Sequence, residues 1–200
     1  MQTIDTIAAL EALYDAPVPA SLTKVTTRMT PLYRRWIEAA GFVVLSTVGP
    51  EGTDGTPRGD NGPVVRVVDD STLWLPDWRG NNRIDSLRNI VRDGRVSLMF
   101  MVPGSQTVVR VNGRAVVTAD TDVTGSFEQR GMHPRTVIVV TLDEIYFQCA
   151  KAILRSGLWT RGDDSAAVPT AGQFLKEQDQ GFDAEAYDAT YPEYARSRMW

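Results

Sequence analysis

The stretch that decides the fold is Leu73–Met101, LWLPDWRGNNRIDSLRNIVRDGRVSLMFM. It opens with the apolar run Leu73-Trp74-Leu75 and stops at Pro76. A polar, glycine-bearing connection follows, Asp77-Trp78-Arg79-Gly80-Asn81-Asn82-Arg83. Ile84, Leu87, Ile90 and Val91 then recur at the spacing of one helical face. After Asp93-Gly94 the chain enters a second apolar run, Val96–Met101. The order is strand, polar loop, helix, strand. The loop delivers two asparagines and an arginine to a helix start, where free backbone N–H groups and the positive end of the dipole favour an anion such as phosphate. The competing reading makes Asn82 a plain helix cap and leaves Arg83 in water.

Upstream, Phe42–Val48 reads as a buried, β-branched strand. Gly49–Pro63 holds five glycines and three prolines, which predicts a long loop, and it carries Arg58-Gly59-Asp60-Asn61. Val64–Val68 is the next strand, with Arg66 at its centre. An arginine there needs an anionic partner: Asp60 or Asp77 from the protein, or a ligand phosphate that Arg66 and Arg83 clamp together. Further towards the N-terminus, Ile4–Tyr14 reads as an amphipathic helix ended by Pro17 and Pro19. Thr30-Pro31 starts a helix that runs to Ala40, with Leu32, Trp36 and Ala39–Ala40 inward.

Downstream, Thr107–Val117 is a long strand with a bend at Asn112-Gly113. A short helix is expected around Val123–Gln129. Thr136–Leu142 and Glu144–Cys149 read as two strands broken near Asp143, and Ala150–Ser156 as a helix. Short helices at Gln173–Gln178 and Ala184–Tyr194 are expected to lie on the barrel or on a partner subunit. Many short strands with local connections predict a mainly β protein with flanking helices, an antiparallel barrel closed or nearly so. Helical residues 1–41, a barrel over 42–159 and an extension over 160–200 divide the chain.

Composition narrows the function. A net charge of −4 with no basic block argues against nucleic acid. The lone Cys149 excludes an intrachain disulfide, and no cysteine–histidine cluster is present for a metal. A single histidine, His133, sits in a loop with no nucleophile nearby and reads as structural or solvated. No run approaches the roughly 20 apolar residues of a membrane helix, and the N-terminus lacks a signal-peptide pattern. The expectation is a soluble, cytoplasmic protein without membrane or nucleic-acid partners.

Five segments in order resemble the pyridoxamine 5′-phosphate oxidase-like flavin-binding proteins: Val64-Val65-Arg66-Val67-Val68, Leu75-Pro76, Asn81-Asn82-Arg83, Arg95–Phe100, and Arg110-Val111-Asn112-Gly113-Arg114-Ala115. The similarity covers roughly Phe42–Trp159. It implies a split β-barrel, homodimeric, with flavin mononucleotide (FMN) at the dimer interface. By that resemblance Arg66 is the phosphate-binding arginine, and Val67 and Val68 present backbone groups along the isoalloxazine edge. Leu75, Pro76 and Asp77 lie beside the flavin. Asn81, Asn82 and Arg83 form a second phosphate site, with the Ser86 hydroxyl one turn on. Cys149–Trp159 resembles the tail of one branch of the family, in which Lys151, Arg155 and Trp159 approach the flavin from the second subunit. A solvated helix face is the alternative for Lys151 and Arg155.

Two departures separate the chain from the vitamin oxidases. Val108 stands where they carry a glutamine, and their C-terminal substrate motif is absent. The expectation is an FMN-binding oxidoreductase acting on a small unidentified substrate, with Arg58 and Asp60 on the substrate side and no side chain assigned as catalytic. The alternatives are a flavin-storing or flavin-sensing protein without turnover and a deazaflavin-dependent reductase.

Overall fold

The structure is a computed structural model and describes residues 1–200. The chain runs α1 (Ile7–Glu11), α2 (Pro19–Thr23), α3 (Pro31–Glu38), β1 (Phe42–Gly49), β2 (Gly52–Gly59), β3 (Arg66–Val67) and β4 (Thr72–Asp77). There follow α4 (Asp85–Arg92), β5 (Arg95–Met101), β6 (Val108–Thr118), α5 (Thr121–Thr124), β7 (Thr136–Gln148), α6 (Lys151–Ser156), a 3₁₀ turn at Ser165–Ala167, α7 (Ala171–Gln178) and α8 (Ala184–Arg196). The strands form one antiparallel sheet in the order β2-β1-β5-β6-β7-β4-β3.

Alternation on the central strands builds the interior. Val43 and Leu45 of β1, Leu98 and Phe100 of β5, Val109 and Val111 of β6, and Ile138, Val140 and Ile145 of β7 are buried. They pack with Leu73 and Leu75 of β4 and Ile37 of α3 in one cluster. Burial of these side chains is the main favourable term, about 1.5–3 kcal/mol each. The long β6–β7 ladder shifts register at Asn112/Gly113, where Asp143 is the unpaired residue. Gly113 is required there, because a Cβ would run into the Thr141 carbonyl oxygen.

The sheet rolls until its ends meet, yet β2 and β3 share no ladder. Side chains close the gap. Arg58 on β2 and Asp77 at the end of β4 form an ion pair at 2.5 Å although β2 is the first strand of the order and β4 the last but one. The barrel is therefore split, and its seam is lined by polar groups. α4 lies across β1, with Ser86 and Ile90 buried, Ser86 donating to Asp54 and Asn89 to Thr47. Asp93 ends it. The Arg95 guanidinium and backbone N–H both donate to that carboxylate and hold its pKa down at about 2.

Several expectations change. Gly49–Pro63 is no loop, since Gly52–Gly59 pairs residue for residue with β1 as an edge strand, where a proline with only one paired side is tolerated. The Arg66 strand is two residues long and Arg66 is exposed, so no buried arginine needs a carboxylate. Asp143 marks a bulge within one strand, Thr136–Gln148, not a break between two. The first helix is only Ile7–Glu11 and buries nothing. On α3 Ile37 is buried and Trp36 packs on the core, with Ala40 buried just beyond the helix, while Leu32 and Ala39 are exposed. Ile84 and Val91 also face solvent, and the helix expected over Val123–Gln129 lies at Thr121–Thr124. No helix is long and apolar enough to cross a membrane.

Gly113→Ala should lower stability by about 1–3 kcal/mol in urea titration, because the backbone of β7 has to shift to admit the methyl. Asp77→Ala should cost about 2 kcal/mol by the same measurement, since it leaves the half-buried Arg58 charge without its partner.

Candidate functional site

The seam gathers three chain segments. The end of β2 brings Arg58 and Asp60, β4 ends on Asp77, and the loop before α4 brings Trp78, Arg79, Asn81 and Asn82. Arg58 gives one guanidinium nitrogen to Asp77. Its Nε is buried and has no hydrogen-bond partner. Asp60 gathers N–H donors instead of a cation. Its Oδ2 accepts from Trp78 Nε1 at 2.7 Å. Its Oδ1 accepts from Asn61 N at 2.7 Å and from Gln129 Nε2 and Trp200 Nε1 at 3.2 Å each. The carboxylate thus ties four separate stretches of chain to one point.

A cleft of about 500 Å³ opens here, walled by Arg58, Asp77, Trp78, Arg79, Asn81, Asn82, His133, Arg135, Thr136 and Trp200 among others. Its charged side chains are three arginines against one aspartate, so it favours an anion. A second hollow of about 310 Å³ shares Arg58, Trp78 and Asn81 with it and has Leu75 and Pro76 in its wall. Two observations set the larger cleft apart. The buried side-chain polar atoms left without a partner are Arg58 Nε and Thr136 Oγ1, and both residues wall it. The non-glycine residues with left-handed backbone are Asn82 (φ 61°), Ile84 (φ 54°) and Arg130 (φ 53°). The first two wall the cleft, and the third stacks its guanidinium 4.7 Å over the Trp200 ring. Strain in a β-branched residue such as Ile84 persists only where the surroundings impose it, and such residues collect at ligand sites.

A third cleft, about 630 Å³, shares Trp78 and Pro76 with these hollows and also includes Asp60. It holds Val67 and Arg66. The Arg66 guanidinium donates to Ser126 Oγ at 2.7 Å and Ser126 O at 2.8 Å and lies 4.0 Å from the Phe127 ring centroid.

The sequence-predicted residues therefore divide. Arg58, Asp77, Asn81 and Asn82 meet in the largest anion-favouring cleft, Leu75 and Pro76 stand beside it, and Asp60, Arg66 and Val67 line the neighbouring one. Arg66 and Arg83 do not converge. Arg83 is 75% exposed and its Nε donates to Asp85 at 2.8 Å, a carboxylate two residues along that already neutralises it. Asn82 is not the helix cap. Ile84 holds that position without a side-chain bond, and Asn81 Oδ1 accepts from Arg83 N instead. The Ser86 hydroxyl is spent on Asp54. Val68 is exposed and its N–H closes the β3–β4 turn on Thr72. Lys151 and Arg155 are exposed on α6, and Trp159 donates to the Ser105 carbonyl at 2.7 Å. None of these last three walls the Arg58 cleft.

Sequence reading missed Trp78, Arg79, Arg135, Thr136 and Trp200 as wall residues. Trp78-Arg79 sat in plain view between strand and helix. Thr136 and Trp200 carried no local signal, since only the rolled sheet brings them near Arg58. His133 also lines the cleft, and its Nδ1 lies 2.6 Å from the Phe127 carbonyl oxygen, which makes that nitrogen the protonated one.

Solved structures of similar shape include HupZ of Group A Streptococcus (20% identity, 58% of this chain and 91% of that one, TM-score 0.48). A provisionally named pyridoxamine 5′-phosphate oxidase of Lactobacillus delbrueckii is 24% identical, over 60% of this chain and 95% of that one, with a TM-score of 0.49. An FMN-binding protein of Syntrophomonas wolfei is 13% identical, over 57% and 86%, with a TM-score of 0.42. At these values no ligand or activity carries over from them. No curated protein matches the chain. The sequence model of pyridoxamine 5′-phosphate oxidase matches residues 29–149, from the start of α3 through the last strand, and with that match over more than half its length the chain belongs to the pyridoxamine 5′-phosphate oxidase family.

Proposed function

We propose that the Arg58 cleft binds FMN and that the protein is a flavin-dependent oxidoreductase acting on a small substrate. The observation that carries this reading is the meeting, in one positively charged and aromatic-walled cleft, of both orphaned polar atoms and the left-handed residues Asn82 and Ile84. Three arginines and the Trp78 indole give the cleft the positive charge and the aromatic face that suit a phosphorylated heteroaromatic group, and Arg58 and Thr136 at its wall each hold a buried polar atom without a partner. When bound, the flavin supplies the acceptance and release of electrons, which the side chains of this protein do not provide.

The chain's own part is binding and positioning. Arg58, Arg79, Asn81 and Asn82 hold the phosphate end. Trp78 offers an aromatic face, and its indole is fixed by Asp60, so that face is pre-organised. Leu75 and Pro76 exclude water at the strand end. The neighbouring cleft with Arg66 and Val67 receives the second molecule, with Trp78 as the shared wall. The working unit is a homodimer. Exposed Phe147, Leu154, Leu158 and Trp159 form an apolar surface around α6, and a second copy covering it carries Lys151 and Arg155 towards a flavin.

Purified protein should be yellow, or become so on adding FMN, and should elute as a dimer. Arg58→Ala should weaken FMN binding by ten- to a hundredfold, about 1.5–3 kcal/mol. Arg66→Ala and Arg83→Ala should leave it within about twofold, as expected for surface charges with partners of their own. An equal loss in Arg66→Ala places the phosphate in the other cleft. Reduction of the bound flavin by NADH or NADPH, followed by reoxidation with candidate acceptors, separates an enzyme from a flavin carrier. A colourless protein that takes up only a deazaflavin points to the reductase alternative.

A further inference from the structure

We propose that Met199–Trp200 is a gate on the Arg58 cleft, latched shut by Asp60, that must swing aside for the ligand to enter. Met199 walls the smaller hollow and Trp200 the larger one, while Arg58 and Trp78 border both. The two residues thus border, one each, the two hollows that open onto Arg58.

The latch is built to open. Trp200 Nε1 reaches Asp60 Oδ1 at 3.2 Å, an oxygen that already accepts a 2.7 Å bond from Asn61 N. When the indole leaves, Asp60 keeps Asn61, Gln129 and Trp78 as donors, so no buried acceptor is stranded. The other hold on the ring is the Arg130 guanidinium at 4.7 Å, carried on a left-handed residue. Releasing the indole frees that cation from the ring of a cleft-wall residue.

The gate sits on a stiff arm. The α7–α8 hairpin is tied internally by Gly172 N to Asp188 Oδ1 at 2.8 Å, and its buried residues, Gly172 and Ala184, pack on each other. Along α8 Tyr187 stacks on Tyr191, whose ring meets Tyr194 at a tilt, and Arg198 lies 4.8 Å over Tyr194 just before the gate. Between barrel and arm, Gly157 and Gly162 adopt φ of 62° and 89° and supply the freedom a hinge needs.

That the ligand is FMN rests on the function proposed above; the gate itself does not. The test uses the full chain labelled with 5-fluorotryptophan and read by ¹⁹F NMR, with the Trp200 and Trp78 resonances assigned from Trp200→Phe and Trp78→Phe. Without ligand, Trp200→Ala should increase the relaxation of the Trp78 resonance by a soluble nitroxide several-fold, and unchanged relaxation overturns the gate whether or not flavin binds. With FMN, Trp200→Ala should raise the association rate by about tenfold, the equivalent of one latch hydrogen bond to a charged acceptor. Trp200→Phe, which keeps the ring and loses the N–H, should fall between. A Trp200→Ala protein that binds FMN more weakly makes the indole a wall of the site and overturns the gate. If neither protein binds FMN while Trp78 becomes accessible, the cofactor assignment fails and the gate stands.

Discussion

A sheet that rolls up without joining its edges by backbone bonds must be closed by side chains, and here the closure is Arg58 against Asp77. The candidate site lies along that gap. Had β2 and β3 paired, the seam would be a continuous ladder with no room for a ligand. Leaving it open exposes one flank of the barrel to polar chemistry while the interior, from Phe100 to Ile138, stays dry. The pair is half-buried, 22% and 18% exposed, so its attraction is stronger than that of a surface bridge without the full penalty of burial.

Around this closure the site is assembled from parts remote in sequence. Asp60 collects Trp78, Gln129 and Trp200, which are separated from it by 18, 69 and 140 positions. A carboxylate satisfied wholly by N–H donors fixes geometry in a way a mobile lysine or arginine does not, because each donor has one direction. The left-handed Asn82 and Ile84 add to this. The loop they belong to is held in a shape it would not choose alone.

How much of this was legible in the sequence follows from what kind of signal each part leaves. The helix at Thr30-Pro31, the central strands and the bend at Asn112-Gly113 declare themselves by local chemistry, and the structure contains them. The edge strand Gly52–Gly59 did not, because its glycines and proline describe a loop and only pairing with β1 overrides them. Arg58, Asp77, Asn81 and Asn82, which sequence reading put in separate places, wall one cleft. Arg66 looks buried when Val64–Val68 is read as one strand, and Arg83 looks free until Asp85 is seen to turn back on it. Thr136 and Trp200 were invisible, since proximity across a rolled sheet has no spacing rule.

The edge strand has one more consequence. A split barrel presents a free row of backbone N–H and C=O groups along β2, since β3 is only two residues long. Such a row is a template for unwanted strand addition when protein is concentrated. β2 reads Gly-Thr-Asp-Gly-Thr-Pro-Arg-Gly, with no large apolar side chain and a proline that cannot donate. A stranger docking there would find hydrogen bonds but nothing greasy to bury and a missing rung in the middle. The same composition that disguised this segment as a loop disfavours polymerisation through the open edge of the barrel.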